Sequence, residues 1–405
     1  MSKSPLFPQV GVIALVSDQW GDKWMSRHQI LTRLATYFHV LWVNPSSDWH
    51  EFPNQAALPT VETSLLPENF RVYQAERWLP RFYKPAWLAN LTFRTRLQQA
   101  RQMLLQRGCQ KIILYLWRPE FAGSLDWVQF NLSCYHLVDE YSFSEEELPV
   151  SEQEGSLLRR VDHVFVHTQA LLEKKGRLSR SVNLIPNGVA YRDFATPAPE
   201  PANLAPIPRP RIGYAGFLKK TLDWDLLSAL AQRHPDYSFV FVGDLINHNR
   251  AELGVSALSR FPNVHFLGCV TTPELAGYPQ HFDVAVMPYV LNDYTKYIYP
   301  LKLHEYLASG SPVVASPIRL LQEFEHIIRL CSTLDDWSLG ISQALQYEAT
   351  SFLARSARQA VARRYDWNVL TNRVAQVFCR KLDLPQSDTP PRLQQPGSEL
   401  VYSRD

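Results

Sequence analysis

Short apolar runs recur along the chain, each closed by glycine, proline or small polar residues. Val10-Gly-Val-Ile-Ala-Leu-Val16 is continuous and ends in Ser-Asp-Gln-Trp-Gly, which predicts a buried parallel strand and a loop. From Arg27 to Tyr37 the period changes, with Ile30, Leu31, Leu34 and Tyr37 on one helical side. Val40 to Val43 is the next strand, closed by Asn44-Pro45, so the opening is a β-α-β unit. Lys111 to Leu116, Ser133 to Val138 and His163 to Val166 continue the strand series. The pattern then restarts: strands are expected at Arg211 to Ala215, Tyr237 to Val242, Val264 to Leu267, Val284 to Met287 and Val313 to Ala315, with a helix over Asp223 to Gln232. Alternation of this kind predicts an α/β protein with two Rossmann-like, doubly wound domains facing a central cleft.

Between the halves the composition shifts. Residues 191–210 are crowded with proline, which fixes φ and removes the backbone donor, so this stretch reads as a linker. The expected division is 1–190, the linker 191–210, a second domain 211–365, a terminal helix 366–384 and a disordered tail 385–405.

Bulk numbers narrow the function. The 405 residues carry a formal net charge of +2 with 20% charged residues, so no overall basic character argues for a nucleic-acid partner. The 5 cysteines are scattered without metal or redox spacing, which fits reduced thiols in a cytoplasmic protein. Val10 to Val16 is too short for a signal core or a membrane span. After Val16 the three glycines of a dinucleotide fingerprint are missing, and no phosphate-loop lysine motif occurs. No Asp-x-Asp pattern closes a strand, so no metal and no cofactor are expected.

The chemistry concentrates in Tyr299-Pro-Leu-Lys-Leu-His-Glu-Tyr-Leu-Ala-Ser-Gly-Ser-Pro-Val-Val-Ala-Ser316. Pro300 suits a first helical turn and Gly310 a left-handed stop, which predicts a helix over Leu301 to Ser309. Its free amides near Tyr299 and Leu301 lie beyond the carboxyl ends of the strands, where ligands bind in such sheets. Lys302 adds a full charge toward the same anion, and Glu305, three residues on, can accept the hydroxyls of a ribose. Leu303, Tyr306 and Leu307 face elsewhere, as core anchors. The competing reading is a short surface helix with a solvated Lys-Glu pair.

This stretch, with Asn263 to Val270 and Phe282 to Tyr289, resembles the donor domain of GT-B glycosyltransferases, most of all the retaining family 4, or "glycosyl transferases group 1". Ile185-Pro-Asn-Gly-Val189 and Tyr365-Asp-Trp367 resemble further elements of that family, in the right order. The resemblance covers about Val161 to Phe378 and reaches the first half by pattern only. It implies transfer of a sugar from a nucleotide-sugar donor to a glycan or lipid-linked acceptor, with retention, in cell-surface polysaccharide or glycolipid synthesis. It also implies that Glu305 binds the ribose, Lys302 the diphosphate, and the backbone of Gly268, Cys269 and Val270 the base. Gly216 would let its loop approach the phosphates closely. The family's earlier glutamate falls at Tyr297, and its usual arginine and lysine fall at Phe217 and Leu222. Lys219 and Lys220 are the expected substitutes.

In the first half, Asp139 closes the strand Ser133 to Val138 and is the best catalytic candidate there. His136, inside that strand, is a second candidate, with a satisfied core histidine as the more common alternative. Asp18 and Arg27 lie in and after a loop resembling the family's acceptor-facing loop, with ordinary turn and cap chemistry as the alternative. Across residues 71–107, arginines and aromatics alternate with one acid, Glu76, which suits a peripheral membrane contact, with a long connection of core aromatics and solvated arginines as the alternative; single-stranded RNA binding would use similar residues. Two other functions fit the architecture: a nucleotide-sugar epimerase, and a non-catalytic GT-B-like partner protein.

Overall fold

A computed structural model describes residues 4–21, 24–45, 66–74, 84–143, 146–246 and 249–385. The chain divides into two compact units, Met1–Ile185 with Asn368–Asp405, and Pro186–Trp367.

The first unit holds a parallel sheet of β1 (Val10–Leu15), β2 (His39–Val43), β3 (Phe70–Tyr73), β4 (Lys111–Leu116), β5 (Leu132–Leu137), β6 (His163–Val166) and β7 (Val182–Leu184). They lie in the order β3-β2-β1-β4-β5-β6-β7. Every residue of β1, β2, β5 and β6 is buried, as expected for strands covered on both faces. The helix Trp367–Lys381 packs here through Phe378, whose ring meets Tyr115 at 5.3 Å and Phe38 at 6.0 Å. Asn372 accepts a hydrogen bond from the Tyr37 hydroxyl at 3.1 Å, and Asn368 one from Arg33 at 3.1 Å.

The second unit repeats the plan with β8 (Arg211–Ala215), β9 (Ser238–Val242), β10 (Val264–Phe266), β11 (Val284–Met287), β12 (Val313–Ala315) and β13 (Arg329–Leu330). Their order is β10-β9-β8-β11-β12-β13. Each sheet therefore reverses direction beside its own first strand, between β1 and β4 and between β8 and β11. Such a switch point leaves a crevice past the strand ends, because the flanking loops leave in opposite directions.

The reading of 191–210 as a linker is corrected. Its first residues form the helix Tyr191–Ala195, and Leu204 and Ile207 are buried in the second unit's core. Arg211 donates to the Ile207 carbonyl at 2.8 Å and pairs with Glu200. The Gln280 amide donates to the Thr196 carbonyl at 2.9 Å. Prolines without ladder donors serve as a strap whose carbonyls are taken up by these side chains. The tail from 386 lies outside the described residues.

Candidate functional site

The helix Lys302–Ser309 starts from Leu301 and stops at Gly310, whose φ of 80° is left-handed, as the sequence predicts. It is held on three sides. Leu303, Tyr306 and Leu307 are fully buried against the sheet. The Tyr306 hydroxyl accepts from the Ala215 amide at 2.8 Å, which pins the helix to the end of β8. His304 stacks on Tyr365 with centroids 4.0 Å apart and hydrogen-bonds the Tyr299 hydroxyl at 2.8 Å. Burial lowers the His304 pKa to about 3, so the ring is neutral. The charge pattern of this short helix thus resolves into one core residue, His304, and two half-buried groups, Lys302 and Glu305.

The approach to the helix is fixed by the two segments that resemble family motifs. Asn187 donates to the Tyr299 carbonyl at 2.9 Å. Val189 pairs with Asp366 in a parallel bridge, and the Trp367 amide donates to the Val189 carbonyl at 3.0 Å.

Around the switch point, loops after three neighbouring strands meet. Gly216, Gly243 and Gly268 follow β8, β9 and β10, with φ of 134°, 135° and 73°. The Gly216 amide donates to the Val242 carbonyl at 2.6 Å, and the Gly243 amide to the Gly268 carbonyl at 2.7 Å. A Cβ on Gly243 would overlap the Gly216 carbonyl. A Cβ on Gly216 would overlap the end of the Lys302 side chain. Glycine is needed at 216 both for its backbone and for the lysine that passes over it.

Lys302 extends across this ledge, and its ammonium lies 5.0 Å from the centroid of the Tyr214 ring. The Tyr214 and Tyr289 hydroxyls hydrogen-bond each other, and Tyr289 also feels the Lys302 charge. Desolvation raises the Glu305 pKa above the usual carboxylate value, and Lys302 opposes that shift. Lysine, glycine turn and carboxylate therefore share one face of the second unit. Gly268 and Cys269 are exposed and Val270 half-buried beside that ledge. Lys219 and Lys220 are exposed in the loop after Gly216, with Lys219 lying 5.2 Å from the Phe217 ring centroid. Leu222 and Tyr297 are buried and fill core positions.

In the first unit the outcome is mixed. Asp139 is half-buried just past β5, with Oδ1 accepting from the Glu140 amide at 2.8 Å. Asp18 and Arg27 form an ion pair with each other beyond β1, beside the switch point of that sheet. The catalytic reading of His136 is corrected. Its ring is fully buried, stacks on Trp117 at 4.3 Å and hydrogen-bonds the Tyr115 hydroxyl at 2.5 Å. Burial holds its pKa well below the usual histidine value, so it sits as a neutral residue of the core. The sequence reading also missed Glu140, Glu154 and Lys175, a fully buried cluster in which Lys175 bonds both carboxylates at 2.8 Å. The neighbouring Tyr135 hydroxyl donates to Glu154 at 3.0 Å.

Of the expected membrane segment 71–107, residues 75–83 lie outside the described residues. The helix Ala86–Gln106 contains no carboxylate, and Trp87 and Leu91 on it are 66% and 53% exposed. Among the described residues no helix is long and apolar enough to cross a membrane.

Two parallel-sheet α/β units, each with its own switch point, define a GT-B fold. Residues 209–331, which hold the ledge and the helix, match the family "Glycosyl transferases group 1". The chain is 26% identical over 234 residues to a Bacillus subtilis (strain 168) protein named "Putative teichuronic acid biosynthesis glycosyltransferase TuaH". That match covers 56% of this chain and 58% of the relative, so it spans little more than half of the curated protein. Among solved structures, Anabaena HepE in complex with UDP and glucose superposes with a TM-score of 0.64 at 17% identity, covering 91% of this chain and 99% of that one. An E. coli structure described as "Trehalose-6-phosphate from E. coli bound with UDP-2-fluoro glucose" superposes with a TM-score of 0.66 at 13% identity, covering 92% of this chain and 99% of that one. At these identities the superpositions establish the fold.

Proposed function

We propose that the protein is a glycosyltransferase that takes a sugar from a nucleoside diphosphate donor, with UDP as the first candidate. The observation that carries this reading is the meeting of Lys302, Gly216 and Glu305 at the switch point of the second sheet. The nearest chemistry is recognition of a diphosphate by the ammonium and the amides around Leu301, with Glu305 accepting the ribose hydroxyls. Lys219 and Lys220, exposed on the adjoining loop, supply further positive charge. The backbone at Gly268, Cys269 and Val270 is the proposed base contact. UDP is favoured because two structures sharing this fold hold UDP or a UDP-sugar analogue.

In the reaction, the bond between the anomeric carbon and the departing phosphate oxygen breaks, and the acceptor oxygen bonds that carbon. Positive charge builds on the sugar and negative charge on the diphosphate. Lys302 and the helix start stabilise the latter without a resident metal. Retention follows if the acceptor enters on the face that the phosphate leaves, passing its proton to a phosphate oxygen. Asp139, Asp18 and Arg27 are the proposed groups of the first unit for the sugar and its acceptor. A glycan or lipid-linked acceptor of cell-surface synthesis fits the name of the Bacillus relative. The acid-free helix with exposed Trp87 and Leu91 is the proposed lipid contact. Loss of vesicle cosedimentation in Trp87→Ala/Leu91→Ala supports it, and unchanged cosedimentation sinks it.

The test is thermal stabilisation by UDP, GDP, ADP and TDP species, with Glu305→Ala beside the parent. Selective stabilisation by one nucleotide, lost in the variant, is expected. No shift with any of them removes the donor site and leaves the second reading, a non-catalytic partner. That reading is favoured by one observation: Leu222 and Tyr297, at positions where the resemblance calls for charged groups, are core residues.

A further inference from the structure

Lys302 is the pivotal cation of the proposed donor site, yet its long stem is costly to immobilise, because a free lysine samples many rotamers. Something must hold it. The ammonium sits 5.0 Å from the Tyr214 ring centroid, within the range where a ring's negative face attracts a cation. Underneath, Gly216 leaves room for the last methylenes, which any Cβ there would displace. The ring itself cannot move. Tyr214 is buried on β8, and its hydroxyl donates to the Phe217 carbonyl at 3.0 Å and meets Tyr289. The lysine backbone is equally fixed, since Tyr306 ties its helix to Ala215, the residue after Tyr214.

We infer that Tyr214 is a positioning residue: its ring face seats the Lys302 ammonium over Gly216 and aims it at the diphosphate of the donor. The seat occupies one side of the ammonium and leaves its remaining hydrogens for phosphate oxygens. This rests on the donor-site reading above.

Tyr214→Phe keeps the ring, and a series with one, two and three ring fluorines at that phenylalanine drains its negative face while nearly preserving volume. The measurement is UDP affinity by calorimetry, with apo melting temperature as the folding control. Affinity is expected to fall stepwise, by about tenfold from Phe to the trifluoro form, with little change in melting temperature. The same series built on Lys302→Ala is expected to be flat, because the cation is gone. A purely structural ring gives a flat series in both backgrounds and overturns the inference. If Lys302→Ala alone leaves UDP affinity unchanged, the donor-site reading fails as well. If Lys302→Ala weakens binding while the series stays flat, only the seat fails.

Discussion

At the scale of single residues, the site opposes stability to binding. Glu305 is desolvated, which raises its pKa above the usual carboxylate value while Lys302 opposes the shift. Ionising it at neutral pH works against folding, since a carboxyl with a raised folded-state pKa contributes stability below its unfolded pKa and loses it as pH climbs. Glu305→Gln retains the shape and removes the charge. The expected outcome is a melting temperature equal to or above the parent's at pH 7.5, together with a loss of nucleotide-induced stabilisation. A lower apo melting temperature with normal nucleotide response would make Glu305 a structural partner of Lys302. The same opposition explains Gly216, which gives the chain φ freedom and no packing, and is needed because Lys302 crosses it.

At the scale of elements, the Lys302–Ser309 helix is pinned by one hydroxyl beside its buried apolar face. Tyr306 spans from the helix to the Ala215 amide, where β8 no longer has a ladder partner on its β11 side. Tyr306→Phe keeps the buried ring and orphans that amide, a cost of about 1–3 kcal/mol. Chemical denaturation should show a loss of that size, with weaker nucleotide binding because the helix start shifts. Parent-like behaviour in both would mean that the apolar contacts alone set the helix. This element also shows what the sequence makes legible. Pro300 and Gly310 mark its ends, and the long buried runs mark the central strands, because burial on both faces demands unbroken apolar residues. The edge strands β3, β7 and β13 were missed. Phe70–Tyr73, Val182–Leu184 and Arg329–Leu330 are short, mix polar with apolar positions, and pair on one side only, so they carry no period. The proline strap reads as a linker because proline content reports missing ladder donors, and Leu204 and Ile207 alone do not announce a core. Tyr214 carries no signal of its own in the sequence, since its partner Lys302 is distant in the chain and local patterning cannot show that contact.

At the scale of the whole molecule, the two units share a plan and differ in their buried histidines. Among the described residues the first unit buries His28, His39, His136, His163 and His167. Burial is the leading cause in each case, lowering His28 and His167 to about 3, His163 to about 4, His136 well below its ordinary value, and His39 below it. Arg27 adds to the effect at His28, and Lys381 and Arg380 add to it at His163. Among the described residues of the second unit one histidine is fully buried, His304, lowered to about 3, while the partly exposed His234 and His265 are lowered by desolvation. A histidine whose folded pKa is depressed binds its proton in the unfolded chain first. Stability is therefore intact above the unfolded pKa of about 6.5 and declines as pH falls below it, by roughly 1 kcal/mol per pH unit for each such residue. With five buried residues against one, the first unit should lose stability faster between pH 6.5 and pH 4.5. Hydrogen exchange at pH values stepped through that window should show β4, β5 and β6 losing protection while β8, β9 and β11 keep theirs. Replacing His167 with asparagine removes one titrating group, and should flatten the acid dependence of the first unit by about one proton. If β8 to β12 lose protection first, or both units fade together with an unchanged slope in the variant, the buried histidines do not govern acid stability and the charged cluster of Lys175, Glu140 and Glu154 becomes the place to look.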